Sequence, residues 1–149
     1  MQAQMLAPAA VLVAWTLVML FWMAGTRLPA ISKAGSGLGE AKPGGRGQDL
    51  EGVIPDKINW KAHNHTHLHE QPTLFYAVVV ILAIMGASGI DVMLAWIYVA
   101  LRIIHSIWQA TVNKVSVRFV IFLASSLVLV ALAVRAVMAT LFRDPTVIS

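Results

Sequence analysis

The chain has 149 residues, 58% of them hydrophobic and only 12% charged, with a mean hydropathy of +0.75. A soluble domain usually carries about 25% charged residues because its surface faces water, so this composition excludes a water-exposed exterior and asks for lipid instead. The formal charge of +4 is small and lies mostly between the apolar segments, which fits orientation in a membrane rather than a nucleic-acid partner; with no cysteine, disulfides, thiolate metal sites and a cysteine nucleophile are excluded.

The first apolar run extends from Met5 to Gly25 without a charged side chain. At ~1.5 Å per residue it can cross a hydrocarbon core of ~30 Å. No Lys or Arg precedes it and Ala24-Gly25-Thr26 is a poor cleavage site, so it reads as a membrane crossing rather than a leader. A polar loop over 26–59 follows, rich in glycine and carrying Arg27, Lys33, Lys42, Arg46 and Lys57. The second segment, 60–87, begins polar and turns apolar at Pro72, which is expected to kink it. Gly86-Ala87-Ser88-Gly89 makes a tight turn, and Asp91 is placed to cap the third segment, 92–111. Asn113-Lys114 marks a short connection to the fourth, 115–142, which contains Arg118 and Arg135. The pattern predicts an all-α, integral membrane four-helix bundle, one membrane domain over residues 1–149. Lys and Arg gather in the first loop and around Lys114 and are missing around Ser88, so the positive-inside rule puts both of those basic connections in the cytoplasm and both termini outside.

Ionisable residues inside membrane helices cost ~2.5–3.5 kcal/mol each at the helix centre, so each is a functional candidate. One group is Lys61-Ala62-His63-Asn64-His65-Thr66-His67-Leu68-His69-Glu70. On a helix His63, His67 and Glu70 share one face, and His65 and His69 another. Two imidazoles and a carboxylate can bind a divalent metal, but imidazole alone does not specify a site; the alternative is that a helix start near the headgroups tolerates imidazoles, and no stoichiometric metal is expected. The second group is Arg102 and His105, one turn apart, with Arg118 one turn into the fourth segment. The structural alternatives are snorkelling of Arg118 to the headgroups, a buried Arg102–Glu70 pair, and snorkelling of Arg135 at the opposite leaflet.

Three stretches carry a resemblance. His67-Leu68-His69-Glu70-Gln71-Pro72-Thr73-Leu74-Phe75-Tyr76 resembles an N-L-x-E-x-P-x-L-F-Y pattern, the run from Ala95 to Ser106 resembles a third-helix signature, and Asn113 to Phe119 resembles an N-x-V-x-x-R-F start of a fourth helix. Together they resemble the MAPEG family (membrane-associated proteins in eicosanoid and glutathione metabolism), in particular its bacterial branch. The resemblance implies a homotrimer of four-helix protomers in a bacterial inner membrane, with glutathione as co-substrate between protomers on the cytoplasmic side and a lipophilic electrophile arriving from the bilayer. It implies that Arg118 stabilises the glutathione thiolate and that Glu70, Arg102, His105, His67 and Arg27 contact the tripeptide or hold the site together. The expected activity is that of a glutathione-dependent membrane transferase or peroxidase. Four positions depart from the family pattern: His67 stands for asparagine, Thr66 for arginine, and Gln109 and Phe122 for aromatic hydroxyls. The alternative is therefore a non-catalytic subunit that uses the same crevice for a lipid or its apolar flank for a partner membrane protein.

Overall fold

The computed structural model describes residues 1–35, 39 and 41–142. Its helices are α1 (Gln2–Lys33), α2 (Asp56–His67), α3 (Gln71–Met85), α4 (Gly89–Thr111) and α5 (Val115–Leu141), with a short 3-10 turn at Gly47–Leu50. Among the described residues there is no strand. Four helical stretches are long and apolar enough to cross a membrane: α1, α2 and α3 taken together, α4, and α5. The expected all-α membrane bundle is therefore the architecture found. Its ends are set by two kinds of connection. Residues 34, 35, 39, 41–55 and 112–114 lie at one end, and the chain start and the 86–88 turn lie at the other.

Two predicted boundaries move for identifiable reasons. α1 continues past Gly25 to Lys33, because one glycine costs a helix only about 1 kcal/mol and the Thr26 hydroxyl returns to the Trp22 carbonyl at 2.9 Å. The polar loop is correspondingly shorter than 26–59. The second segment is two helices rather than one kinked helix. Pro72 has no N–H to donate to the Leu68 carbonyl and disfavours helical geometry at the residue before it. The chain turns at Leu68–Glu70, and α3 restarts with Pro72 in its first turn. The Thr73 hydroxyl and N–H then both donate to the Glu70 carbonyl.

α4 is the hub, packing against α1, α2 and α5, while α3 packs on α1 and α5. Its buried residues Asp91, Ala95, Tyr98, Arg102, His105 and Gln109 recur at steps of three and four, so one stripe faces the bundle along its whole length. Hydrophobic burial is weak as a force in lipid, and interhelical hydrogen bonds hold register instead. The Ser106 hydroxyl accepts from the Trp15 indole at 2.9 Å and from the Asn64 amide at 2.6 Å, joining α1, α2 and α4. Tyr98 donates to Gln71 Oε1 at 3.2 Å, and Gln71 donates to Ser126 at 2.7 Å, joining α3, α4 and α5 directly beside the helix break. The outward faces carry large apolar side chains such as Phe21, Ile84 and Val120, as a lipid-facing surface requires.

Candidate functional site

Two adjoining cavities open at the end of the bundle that holds the 3-10 turn. The first, about 420 Å³, lies between α2, α4 and α5 and is lined by His63, His67, His105, Gln109, Arg118 and Phe122, among others. The second, about 470 Å³, lies between α1, the 3-10 turn and α2, and its walls include Arg27, Arg46, Glu51, His63, Thr66 and Glu70. His63 borders both.

Arg118 reaches the first cavity because it sits one turn into α5, and because Asn113 Oδ1 accepts from its guanidinium at 2.6 Å. Asn113 has φ of 53°, a left-handed conformation that asparagine tolerates better than most residues. Its role as an anchor for Arg118 is not legible in the short connection itself, where the one signal is that asparagine tolerates the left-handed region.

His105 is almost fully buried on the same wall. Arg102, one turn further from the α4 C-terminus, is fully buried, and none of its three guanidinium nitrogens has a hydrogen-bond partner among the described residues. The Arg102–Glu70 pair is not formed. Glu70 instead accepts from His67, with Oε2 2.8 Å from Nδ1. The helix break at Leu68–Glu70 sets this contact. The His67 ring packs 5.1 Å from the His105 ring and 5.7 Å from Phe122, centroid to centroid.

The other predicted residues divide. Arg27 borders the second cavity rather than the first; its guanidinium donates to the Gly47 carbonyl and, at 3.5 Å, to Asn59 Oδ1, strapping the 3-10 turn to α1. His63 and His67 are not drawn to one carboxylate. His63 pairs with Glu51 at 3.0 Å and His67 with Glu70. His65 and His69 do share their own face, with ring centroids 4.7 Å apart. At the opposite end Arg135 does not snorkel. It donates to both carboxylate oxygens of buried Asp91 and, at 2.9 Å, to the Ser88 hydroxyl. Asp91 also closes a capping box, accepting from the Ser88 N–H at 2.7 Å, so Ser88 is the N-cap of α4 and Asp91 its third helical residue.

A cationic and imidazole-lined crevice at one end of a four-span helical bundle is thus in place. A family-level match, to the MAPEG family, runs from residue 5 to residue 138. The chain belongs to the MAPEG family. No curated protein and no solved structure matches it at a significant level. As a MAPEG chain it is a helical multi-pass membrane protein. The matched span contains every residue of the crevice, both the arginines that line or back it and the His67–Glu70 contact. In this MAPEG chain the first cavity has no carboxylate among its lining residues, so its electrostatic character is set by Arg118 and by Arg102 behind it. Such a site can hold an anion and can favour a thiolate over a thiol.

Proposed function

We propose that the protein is a glutathione-dependent membrane transferase or peroxidase acting on lipophilic electrophiles. The observation that carries this reading is a cavity with Arg118 on its wall and no carboxylate there, backed by the fully buried, unpartnered guanidinium of Arg102. A buried cation without a partner is costly, and an anionic ligand offsets that cost. Glutathione supplies carboxylates for Arg102 and Arg118, and its ammonium suits Glu70 at the crevice edge. His105 and His67 contact the tripeptide. Arg118 holds the sulfur as thiolate, since a guanidinium in a water-poor site favours the charged form. Electrophiles soluble in the bilayer reach the sulfur between α4 and α5.

Arg27 borders the second cavity and not the one that Arg118 lines, and its part in the site is assigned to a neighbouring protomer of a homotrimer. Three protomers in closed symmetry bring α1 of one against the crevice of the next. The whole chain acts as a single membrane domain, with residues 34–55 and 112–114 in the cytoplasm of a bacterium and both termini across the inner membrane.

One observation favours a second reading, a non-catalytic lipid-binding or accessory subunit. Gln109 and Phe122 present an amide and a bare phenyl ring to the cavity, and neither offers the acidic hydroxyl that assists at sulfur. Calorimetry of detergent-purified protein with glutathione separates the two. Saturable binding together with conjugation of chlorodinitrobenzene supports the enzyme. Absence of both overturns it in favour of the accessory subunit. Native mass spectrometry of the same sample is expected to show trimers, and a reporter fused at Gly45 is expected to read as cytoplasmic.

A further inference from the structure

We infer that His67, oriented by Glu70, is the base that takes the thiol proton of the bound substrate; this rests on the reading of the crevice as a glutathione site. The tautomer follows from one contact. A carboxylate only accepts hydrogen bonds, so the His67 nitrogen 2.8 Å from Glu70 Oε2, Nδ1, carries the proton and the lone pair of the neutral ring is on Nε2. No other hydrogen bond involves this ring among the described residues, and the ring lines the same cavity as Arg118. Its plane is held by the His105 ring on one element and the Phe122 ring on another. A carboxylate orienting an imidazole that lines a cavity and keeps one nitrogen free is the arrangement that activates a nucleophile. The charged and titratable groups facing His67 are Glu70 from its own segment, Arg102 and His105 from α4, and Arg118 from α5, with His63 one turn before it on α2.

The step balances without a further reagent. The S–H bond breaks, its proton passes to His67 Nε2, and the electron pair stays on sulfur as a thiolate held by Arg118. Sulfur then forms a bond to the electrophilic carbon while the leaving group departs with its electron pair, for example as chloride. Glu70 stabilises the imidazolium for as long as the thiolate persists. Only after the sulfur–carbon bond has formed and the leaving group has departed does the imidazolium return its proton to water.

The stoichiometry of protons tests this directly. Glutathione is added to the purified full-length protein in dilute buffer containing a pH indicator, and thiolate absorbance near ~240 nm is recorded alongside proton release. If His67 takes the proton, the wild type forms thiolate while releasing almost none to the buffer. His67→Asn is expected to bind glutathione, to release about one proton for each thiolate it forms or to form none, and to lose conjugation by about 10²-fold, the lower range for general-base catalysis. Release of about one proton per thiolate by the wild type means Arg118 acts alone, and overturns the assignment of His67 while leaving glutathione binding intact. Silent thiolate formation by His67→Asn overturns it equally. A wild type that binds no glutathione removes the function proposed above, and this assignment with it.

Discussion

Arg135 reaches from α5 to Asp91 and Ser88 at one end of the bundle, where the buried carboxylate and the guanidinium meet as counter-groups. Toward the other end, among the described residues, Arg102 is fully buried with no hydrogen-bond partner and Arg118 is met by a neutral amide. Both regions place guanidinium groups in a span that lipid surrounds, yet they answer different demands. An ion pair closed within the fold holds α5 against the start of α4. Cations without a counter-ion beside a cavity carry a desolvation cost that an anionic ligand would offset. The pairing of a charge, not its presence in a helix, is what distinguishes the two ends.

The largest expected effect tests the ligand side of this contrast. Arg118→Ala is expected to lower conjugation of a small electrophile by about 10²–10³-fold, the usual loss when one preorganised charge-stabilising donor is removed. Arg118→Lys is expected to recover only part, because an ammonium lacks the planar fork of the guanidinium. Equal activity in all three proteins, measured as initial rates with chlorodinitrobenzene, would remove Arg118 from the chemistry.

A middle effect tests the architectural side. Asp91→Ala deprives Arg135 of its counter-ion and α4 of its capping carboxylate, an expected loss of about 2 kcal/mol after allowing for the partly exposed arginine. That corresponds to a Tm lower by roughly 5 °C for a chain of this size. Glutathione affinity of the folded variant is expected to match the wild type, because the cluster lies at the opposite end from the crevice. A drop in affinity without a drop in Tm would reverse the roles assigned to the two ends.

The smallest change in stability is expected where a buried charge is removed outright. Arg102→Met replaces an unpartnered guanidinium with an apolar side chain of similar length, so Tm is expected to stay level or rise. Glutathione binding is expected to weaken about tenfold or more, as a charge-assisted hydrogen bond is worth about 1.5–3 kcal/mol. Should Arg102→Met unfold the protein as readily as Asp91→Ala, the contrast between the two ends collapses.

The four crossings were readable from residue order because hydropathy over a window is a local property, and lipid imposes it on each segment separately. That Asp91 serves the start of the third segment was readable too, but the helix begins at Gly89 rather than 92, so Ser88 is the N-cap and Asp91 closes a capping box from the third helical position. Pro72 announced a disturbance, but not that the helix would stop and restart. That outcome depended on Gln71 finding Tyr98 and Ser126 on two other helices. The continuation of α1 through Gly25 was equally hidden, because composition marks a polar stretch without saying whether its backbone still closes helical hydrogen bonds.

Partnerships were what residue order left undecided. Residue order offered Glu70 a buried Arg102 or, less favoured, a metal shared with His63 and His67, and among the described residues its carboxylate meets His67. Arg135 looked like a snorkelling cation until α4 and α5 brought it to Asp91, 44 positions away. Segment identity was settled by the chain itself, since the transfer of each apolar run into lipid is decided residue by residue. Charge pairing was settled only by tertiary structure, because the rotation of each helix about its axis selects which polar group faces which, and hydropathy carries no record of that rotation.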